Sequence, residues 1–495
     1  MVAFHELTVP LFSFILLILF LKRRRSTAGK IFPPSPRKLP IIGNLHQLGK
    51  SPHRSLLTLS KRHGELMLLH LGSKPVLVAS SAAAAREIMK NQDLIFSNRP
   101  KLSAPDRLTY GSRDVAFSPY GEYWRHVRSI CVLQLLSNRR VQSFRRVREE
   151  ETSLMIERIA RSPAGAAVNL SEELVATTND VICRVALGRK YGGGGEERRF
   201  KKFLSEFVEL LGASPVGDLV TWLAWVDRVG GLDAKVERVA RLFDEFLEHV
   251  VREHREVEKS GRVDDEELDF VDILLQFQRE NEKTSPVEDE TIKALILDMF
   301  AGGTDTTVSS MEWTMAELIR NPRTMKVLQN EVREVARNKV EVDEEDLEKM
   351  PYLKAVMKES LRLHSPVPLL VPRESTEDTK VLGCDVASGT RVMVNAWAIS
   401  RDPSLWENPE EFCPERFLDT SIDYKGLHFE FIPFGAGRRG CPAVAFAMSV
   451  NELAIAKLVH KFNFGLANGG RGEDLDMSET IGIAVHKKLP LLVVV

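Results

Sequence analysis

The sequence predicts a mainly α fold with small β-sheets, preceded by one N-terminal membrane-anchor helix. Helical apolar periodicity dominates from about residue 80 onward, while strand-like stretches are short and few. An apolar run from Leu7 to Leu21 stands apart at the start, closed by Lys22-Arg23-Arg24-Arg25. Of the 495 residues, 43% are hydrophobic and 28% charged, an ordinary globular balance. The net charge of −1 gives no global field that would favour nucleic acid. Five scattered cysteines (Cys131, Cys183, Cys384, Cys413, Cys441) have neither disulfide nor zinc spacing, which suits a reducing compartment.

Residues 1–25 read as a signal anchor with a basic flank. The apolar run makes about 22 Å of helix, short against a hydrocarbon core of roughly 30 Å. A cleaved signal peptide carries its positive charge before the apolar stretch, whereas here it follows. The positive-inside rule keeps the basic flank and all that follows in the cytosol, and a thin endoplasmic reticulum bilayer eases the length problem. The sequon Asn169-Leu170-Ser171 is then expected to be unused. Residues 26–50, with Pro33-Pro34-Ser35-Pro36 and Pro40, form a stiff spacer, leaving 51–495 as one domain. Leu66–Leu71 and Val76–Val78 alternate as a hairpin does, and strand character returns at 380–394 and 487–495. The polar stretches 192–195, 263–269 and 341–348 read as solvated loops without function.

Ser285-Pro286-Val287-Glu288 is a capping box with proline at the first helical position, and Asn321-Pro322 ends the pattern. The helix so bounded has about 35 residues and a length near 52 Å. Its middle reads Ala301-Gly302-Gly303-Thr304-Asp305-Thr306-Thr307. Each interior glycine costs roughly 1 kcal/mol against alanine, and Thr and Asp bond readily to nearby backbone. A kink at a helix crossing explains such a stretch, and so does a site where a flat ligand or O2 meets the backbone.

Near the C-terminus stands Pro433-Phe434-Gly435-Ala436-Gly437-Arg438-Arg439-Gly440-Cys441-Pro442-Ala443. Cysteine is a nucleophile or metal ligand only as the thiolate, which adjacent positive charge or a helix N-terminus favours. Arg438 and Arg439 supply charge, and Pro442 suits the first turn of a following helix. The glycines also spell G-x-G-x-x-G. The dinucleotide reading needs a strand before and an acid about 20 residues on; Pro433 weakens the first, and His460-Lys461 is not acidic. A buried free cysteine in a structural turn leaves the arginines unexplained.

Phe434-x-x-Gly437-x-Arg439-x-Cys441 resembles the cysteine loop of the cytochrome P-450 monooxygenases, and Gly302–Thr307 resembles their oxygen-activating helix motif. The resemblance implies the P-450 fold with haem b, Cys441 as its axial iron ligand, and Asp305 and Thr306 in proton delivery. It further implies that Arg439 pairs with a haem propionate, that Trp124 and Arg128 of Trp124-Arg125-x-x-Arg128 lie near one, and that Arg373 contacts another. Glu359-x-x-Arg362 and Pro414-Glu415-Arg416-Phe417 resemble the family's buried E-x-x-R and P-E-R-F network, which supports the haem core and does no chemistry. One residue departs from the pattern: Ala443 stands where the family usually has glycine.

Pro33–Pro36 with Ile42–Leu48 is most like the plant microsomal A-type members, in which such a hinge sets the domain's pose on the membrane. The implied reaction inserts one atom of O2 into a small hydrophobic substrate, with specialised metabolism as its setting. NADPH would supply electrons through a separate P-450 reductase, since the chain has no flavin or nicotinamide site of its own. Seven arginines from Arg125 to Arg148 suit that acidic partner. By family position Leu297, Phe300, Ala301, Val367, Leu369, Leu370 and Ile481 line the substrate pocket. The rival readings are a peroxide-rearranging isomerase or dehydratase, which usually lacks the acid–threonine pair, and a non-catalytic haem protein.

Overall fold

The computed structural model describes residues 29–163, 165–191, 195–259, 268–284, 286–467, 469–480 and 482–495. The expected anchor, Ser285, Ile481 and most of the two loops at 192–195 and 263–269 lie outside them. Among the described residues no single helix is long and apolar enough to cross a membrane.

Eight helices position the site: α1 (Glu122–Ile130), α2 (Leu170–Leu187), α3 (Gly195–Leu211), α4 (Leu232–Lys259), α5 (Asp289–Gly303), α6 (Asp305–Arg320), α7 (Pro351–Leu363) and α8 (Val444–Lys461). The sheets are small, as expected. Strands β1 (Leu66–Leu71) and β2 (Lys74–Ala79) form the hairpin, while β3 (Arg373–Glu374) lies antiparallel to β4 (Arg391–Val394), which runs parallel to β2. The expected C-terminal strand shortens to Leu492–Val494, paired with Val168–Asn169 and Gly465–Leu466.

The described part of the proline-rich spacer is not free chain. Pro34 O accepts the Leu68 amide at 2.9 Å, and His70 O accepts the Asn44 amide at 2.6 Å, so the spacer lies along β1. The loop at 341–348 is likewise committed: Glu344 holds the buried Arg148 through Nε at 2.5 Å and Nη2 at 2.8 Å.

The long helix differs from its expectation in two ways. It begins at Asp289 rather than Pro286, with Glu288 as an extended N-cap and two acids in the first turn facing the positive helix end. It also breaks at Thr304. Leu295, Ile296 and Phe300 of α5 join a core cluster with α2, α3 and α4, whereas Met311, Trp313 and Leu318 of α6 join another with α7 and α8. The break therefore sits where the chain passes from one core to the other. At Gly303 a Cβ would meet Ile182 Cδ1 at 2.8 Å, so a side chain there would push the Ile182 tip aside.

Candidate haem-thiolate site

The cysteine loop is a tight turn with no strand before it, which removes the dinucleotide reading. Gly435 and Gly437 adopt φ of +69° and +68°, in the region that favours glycine. At Gly437 a Cβ would also meet Met89 O at 2.2 Å and Asp93 Oδ1 at 2.7 Å. The turn closes on itself when the Cys441 amide donates to Phe434 O at 2.9 Å. Phe434 itself packs edge-on against Tyr424, with ring centroids 5.6 Å apart. Pro442 precedes the helix instead of opening it. Ala443 is the N-cap of α8 with φ of −99°, so its methyl meets no backbone strain.

Arg438 and Arg439 do not supply charge to the sulfur, contrary to the sequence expectation. Arg438 donates to Asp93 Oδ2 through its amide at 3.0 Å and Nη1 at 2.9 Å. Arg439 donates to three carbonyls, Ser97 O at 2.8 Å, Val115 O at 3.1 Å and Ser118 O at 2.6 Å, and lies 4.1 Å over the Trp124 ring. Burial consequently pushes the Cys441 thiol up, with the Ala443 amide and the Arg128 charge pulling the other way. Cys441 is enclosed by protein yet keeps an accessible surface, so it faces an interior space and not a packed core.

Arg128 links this loop to the broken helix. It donates to Gly440 O at 2.6 Å, and its electrostatic neighbours are Cys441, Cys131 and Asp298 of α5. Arg373 donates to Asp93 Oδ1 at 3.1 Å and to Ala436 O at 2.7 Å. Arg99, which the sequence reading missed, donates to Ala116, Val371 and Pro372 carbonyls at 2.7–2.8 Å. Burial lowers Arg99 and Arg439, and each is lowered further by the other arginines of the cluster. An arginine does not give up its proton, so this is an enclosed excess of positive charge that an anion would relieve. Haem, with an iron for a thiolate and two propionates for arginines, fits the donor set.

On α5 and α6 the accessible residues Asp298, Ala301, Gly302, Asp305 and Thr306 fall on one helical stripe. Leu297 and Phe300, expected to line the pocket, are fully packed in the core. Asp298 Oδ2 accepts the Val115 amide at 2.6 Å. Burial and the neighbouring Asp114 push its carboxyl well up. Thr306 Oγ1 donates back to Gly302 O at 2.5 Å, and Asp305 Oδ1 lies 2.9 Å from His486 Nε2. A cavity of about 840 Å³ reaches Thr304 and Asp305 and is bounded by Val367, Leu369, Leu370, Val208 and Ile483, although not by Cys441.

Behind the loop, Glu359 and Arg362 pair bidentately at 2.7 and 2.9 Å with both side chains fully buried. Arg416 Nε donates to the same Glu359 Oε1 at 3.1 Å, and the Cys413 amide donates to it at 2.8 Å. Arg362 also ties down Ser400, Pro409 and Glu411 carbonyls. The three residues therefore form one network, fully buried at Glu359 and Arg362 and partly exposed at Arg416. Trp124 is buried too and donates to Val115 O at 3.0 Å.

Comparison with known proteins agrees with this geometry. The family model for cytochrome P450 matches residues 33–494. Cytochrome P450 71A6 of Nepeta racemosa is 65% identical over 96% of both chains. The (+)-menthofuran synthase of Mentha piperita is 61% identical, covering 97% of this chain and 96% of the relative. A zebra fish cytochrome P450 solved with abiraterone superposes with a TM-score of 0.76 at 25% identity, over 90% of this chain and 99% of that one. The chain belongs to the cytochrome P450 family and is a P450 monooxygenase of the plant A-type.

Proposed function

We propose that the protein hydroxylates a small hydrophobic metabolite, in the cytosolic domain of a single-pass anchored enzyme of the endoplasmic reticulum. The observation that carries this reading is the cavity of about 840 Å³, which joins an apolar wall to the polar break at Asp305. That volume suits a drug-sized molecule. When bound, haem supplies O2 activation with electrons that enter one at a time. In this reading Cys441 would hold the iron as the thiolate, the form that a bound metal cation favours over the thiol. Arg99, Arg128, Arg373 and Arg439 would hold the propionates, with Trp124 and Phe434 bracing the loop. Asp305 and Thr306 hold and pass protons at the break, and Val367, Leu369 and Leu370 exclude water from the apolar end.

Electrons would come from NADPH through cytochrome P450 reductase. Of the seven arginines expected to meet it, Arg148 is buried and Arg145 is paired with Glu149 and Glu345. Of the seven, Arg125 and Arg139 are exposed, as are Val132 and Leu133 between them in sequence, a smaller docking face than the sequence suggested. For membrane contact, Trp222, Trp225 and Val229 are exposed, as are Leu39, Ile41 and Ile42. Leu219 O binds Ser73 and Ile42 O binds Gly72, so the two apolar groups adjoin. Residues 1–25 would anchor the chain, 26–50 would set its pose, and 51–495 would carry the chemistry.

The test is spectroscopic. Small cyclic terpenoids, chosen because one relative is a menthofuran synthase, should shift the haem spin state, and NADPH with reductase should then yield a product carrying one oxygen from O2. Turnover of a fatty-acid hydroperoxide without NADPH would replace this reading with the isomerase one.

A further inference from the structure

Three polar atoms along the 840 Å³ cavity are buried without an aligned hydrogen bond: Asn179 Oδ1, Thr304 Oγ1 and His486 Nε2. All three residues line that one cavity. Asn179 comes from α2, Thr304 is the helix break itself, and His486 comes from the C-terminal hairpin. An orphaned buried polar atom is costly unless water or a transferring proton occupies it. The same cavity is bounded by the exposed residues Lys50, Glu209 and Lys488, so it also reaches solvent.

His486 is held rigidly between the two ends. Its amide and carbonyl bond to Thr480 Oγ1 and the Thr480 amide at 3.3 and 2.8 Å. The preceding Val485 O accepts Ser309 Oγ at 2.7 Å and Trp313 Nε1 at 3.0 Å, docking the hairpin on α6. The ring then spans two carboxylates, with Nε2 at 2.9 Å from Asp305 Oδ1 and Nδ1 at 3.9 Å from Glu312 Oε2. The Nε2 contact has ion-pair distance without hydrogen-bond alignment. Glu312 is fixed by Ser171 Oγ at 2.5 Å and the Lys487 amide at 3.2 Å. The Lys487 ammonium turns away to the Asp476 carbonyl. The α2 face contributes the uncharged Ser171, Val175 and Asn179 to the cavity, and α3 contributes the carboxylate of Glu209.

We propose that His486 is the residue that positions Asp305 and restores its proton from cavity water. The inference rests on the reading of Asp305 as a proton-delivering acid. Hydroxylation leaves the second atom of O2 as water and takes up a pair of protons, which Asp305 alone cannot keep supplying. In the step proposed, the Nε2–H bond of the imidazolium breaks and an O–H bond forms on Asp305 Oδ1. After Asp305 passes that proton inward, the neutral imidazole regains one from the solvent, handed along by cavity water that gives up one proton as it accepts another. No electron moves in either transfer. Burial opposes the ring's charge, but Asp305 and then Glu312 raise it above the ordinary histidine value, so the donor form persists to higher pH.

Two measurements test this. In the haem-loaded, histidine-labelled protein, the NMR titration of His486 should move down by about one pH unit in Asp305→Asn; an unmoved titration overturns the proposal. In His486→Gln with reductase and NADPH but no added substrate, the share of consumed O2 released as H2O2 should rise several-fold. The high-pH fall of the wild-type water-forming rate should disappear in the same variant. An unchanged carbon-monoxide band certifies its fold and thiolate. If Asp305→Asn raises peroxide release and His486→Gln does not, the His486 inference alone fails. If neither does, the reading of Asp305 fails with it.

Discussion

The two walls of the site treat their polar atoms in opposite ways. On the cysteine side, Arg99, Arg128, Arg373, Arg438 and Arg439 each bond to a carbonyl or carboxylate. At the helix break, Thr304 Oγ1 and His486 Nε2 are buried without aligned partners. A wall that must hold a cofactor in one pose gains from saturating its donors. A wall that must move protons needs groups whose partners can change. The contrast assigns rigidity to one side and exchange to the other.

The largest break of that comparison is Cys441→Ala, which should abolish the red-shifted carbon-monoxide Soret band of the reduced protein. Next, Glu359→Ala removes the shared partner of two arginines and an amide. Leaving Arg362 buried without a counter-charge should cost on the order of 3–5 kcal/mol, read as lost haem retention and a lowered melting temperature. On the exchanging wall, Asp305→Asn should lower coupled turnover by about 10²-fold while leaving spin-state binding intact. A comparable loss of binding would mean that the acid holds structure instead.

A smaller effect concerns pH and lies outside both walls. Burial opposes charge on His254, but Asp269 at 2.8 Å outweighs it and holds the imidazole at about 9. Its folded pKa exceeds the ordinary 6.5, so this contribution is complete below 6.5 and fades as pH rises through about 9. His254→Gln should flatten the fall in melting temperature across that window. The smallest expected effect is Ala443→Gly, because φ there is already negative. It should leave the carbon-monoxide band in place and change stability by less than about 1 kcal/mol.

Much of the site was legible in the sequence because its parts are local. The turn of Gly435–Gly440, the Glu359/Arg362 spacing and the Gly302–Thr307 stretch each declare themselves within one turn or one helix. What stayed hidden depends on direction and on distant chain. Leu297 and Phe300 carry the right chemistry but point into the core, a difference of one residue in helical phase from Asp298 and Ala301. Arg438 and Arg439 stand beside Cys441 in sequence, yet Asp93 and the carbonyls at 97–118 draw their charge away from the sulfur.

The sequence by itself determined the class of fold, the glycine turn that carries Cys441 and the glycine-weakened stretch at Gly302–Thr307, since glycine's backbone preferences act at short range. Only the tertiary structure decided where the charges go. Arg99 joins the arginine cluster from one loop, and His486 reaches Asp305 across 181 positions of chain. Coulomb and hydrogen-bond energies fall with distance in space, and spacing along a chain does not report that distance once the two cores have packed.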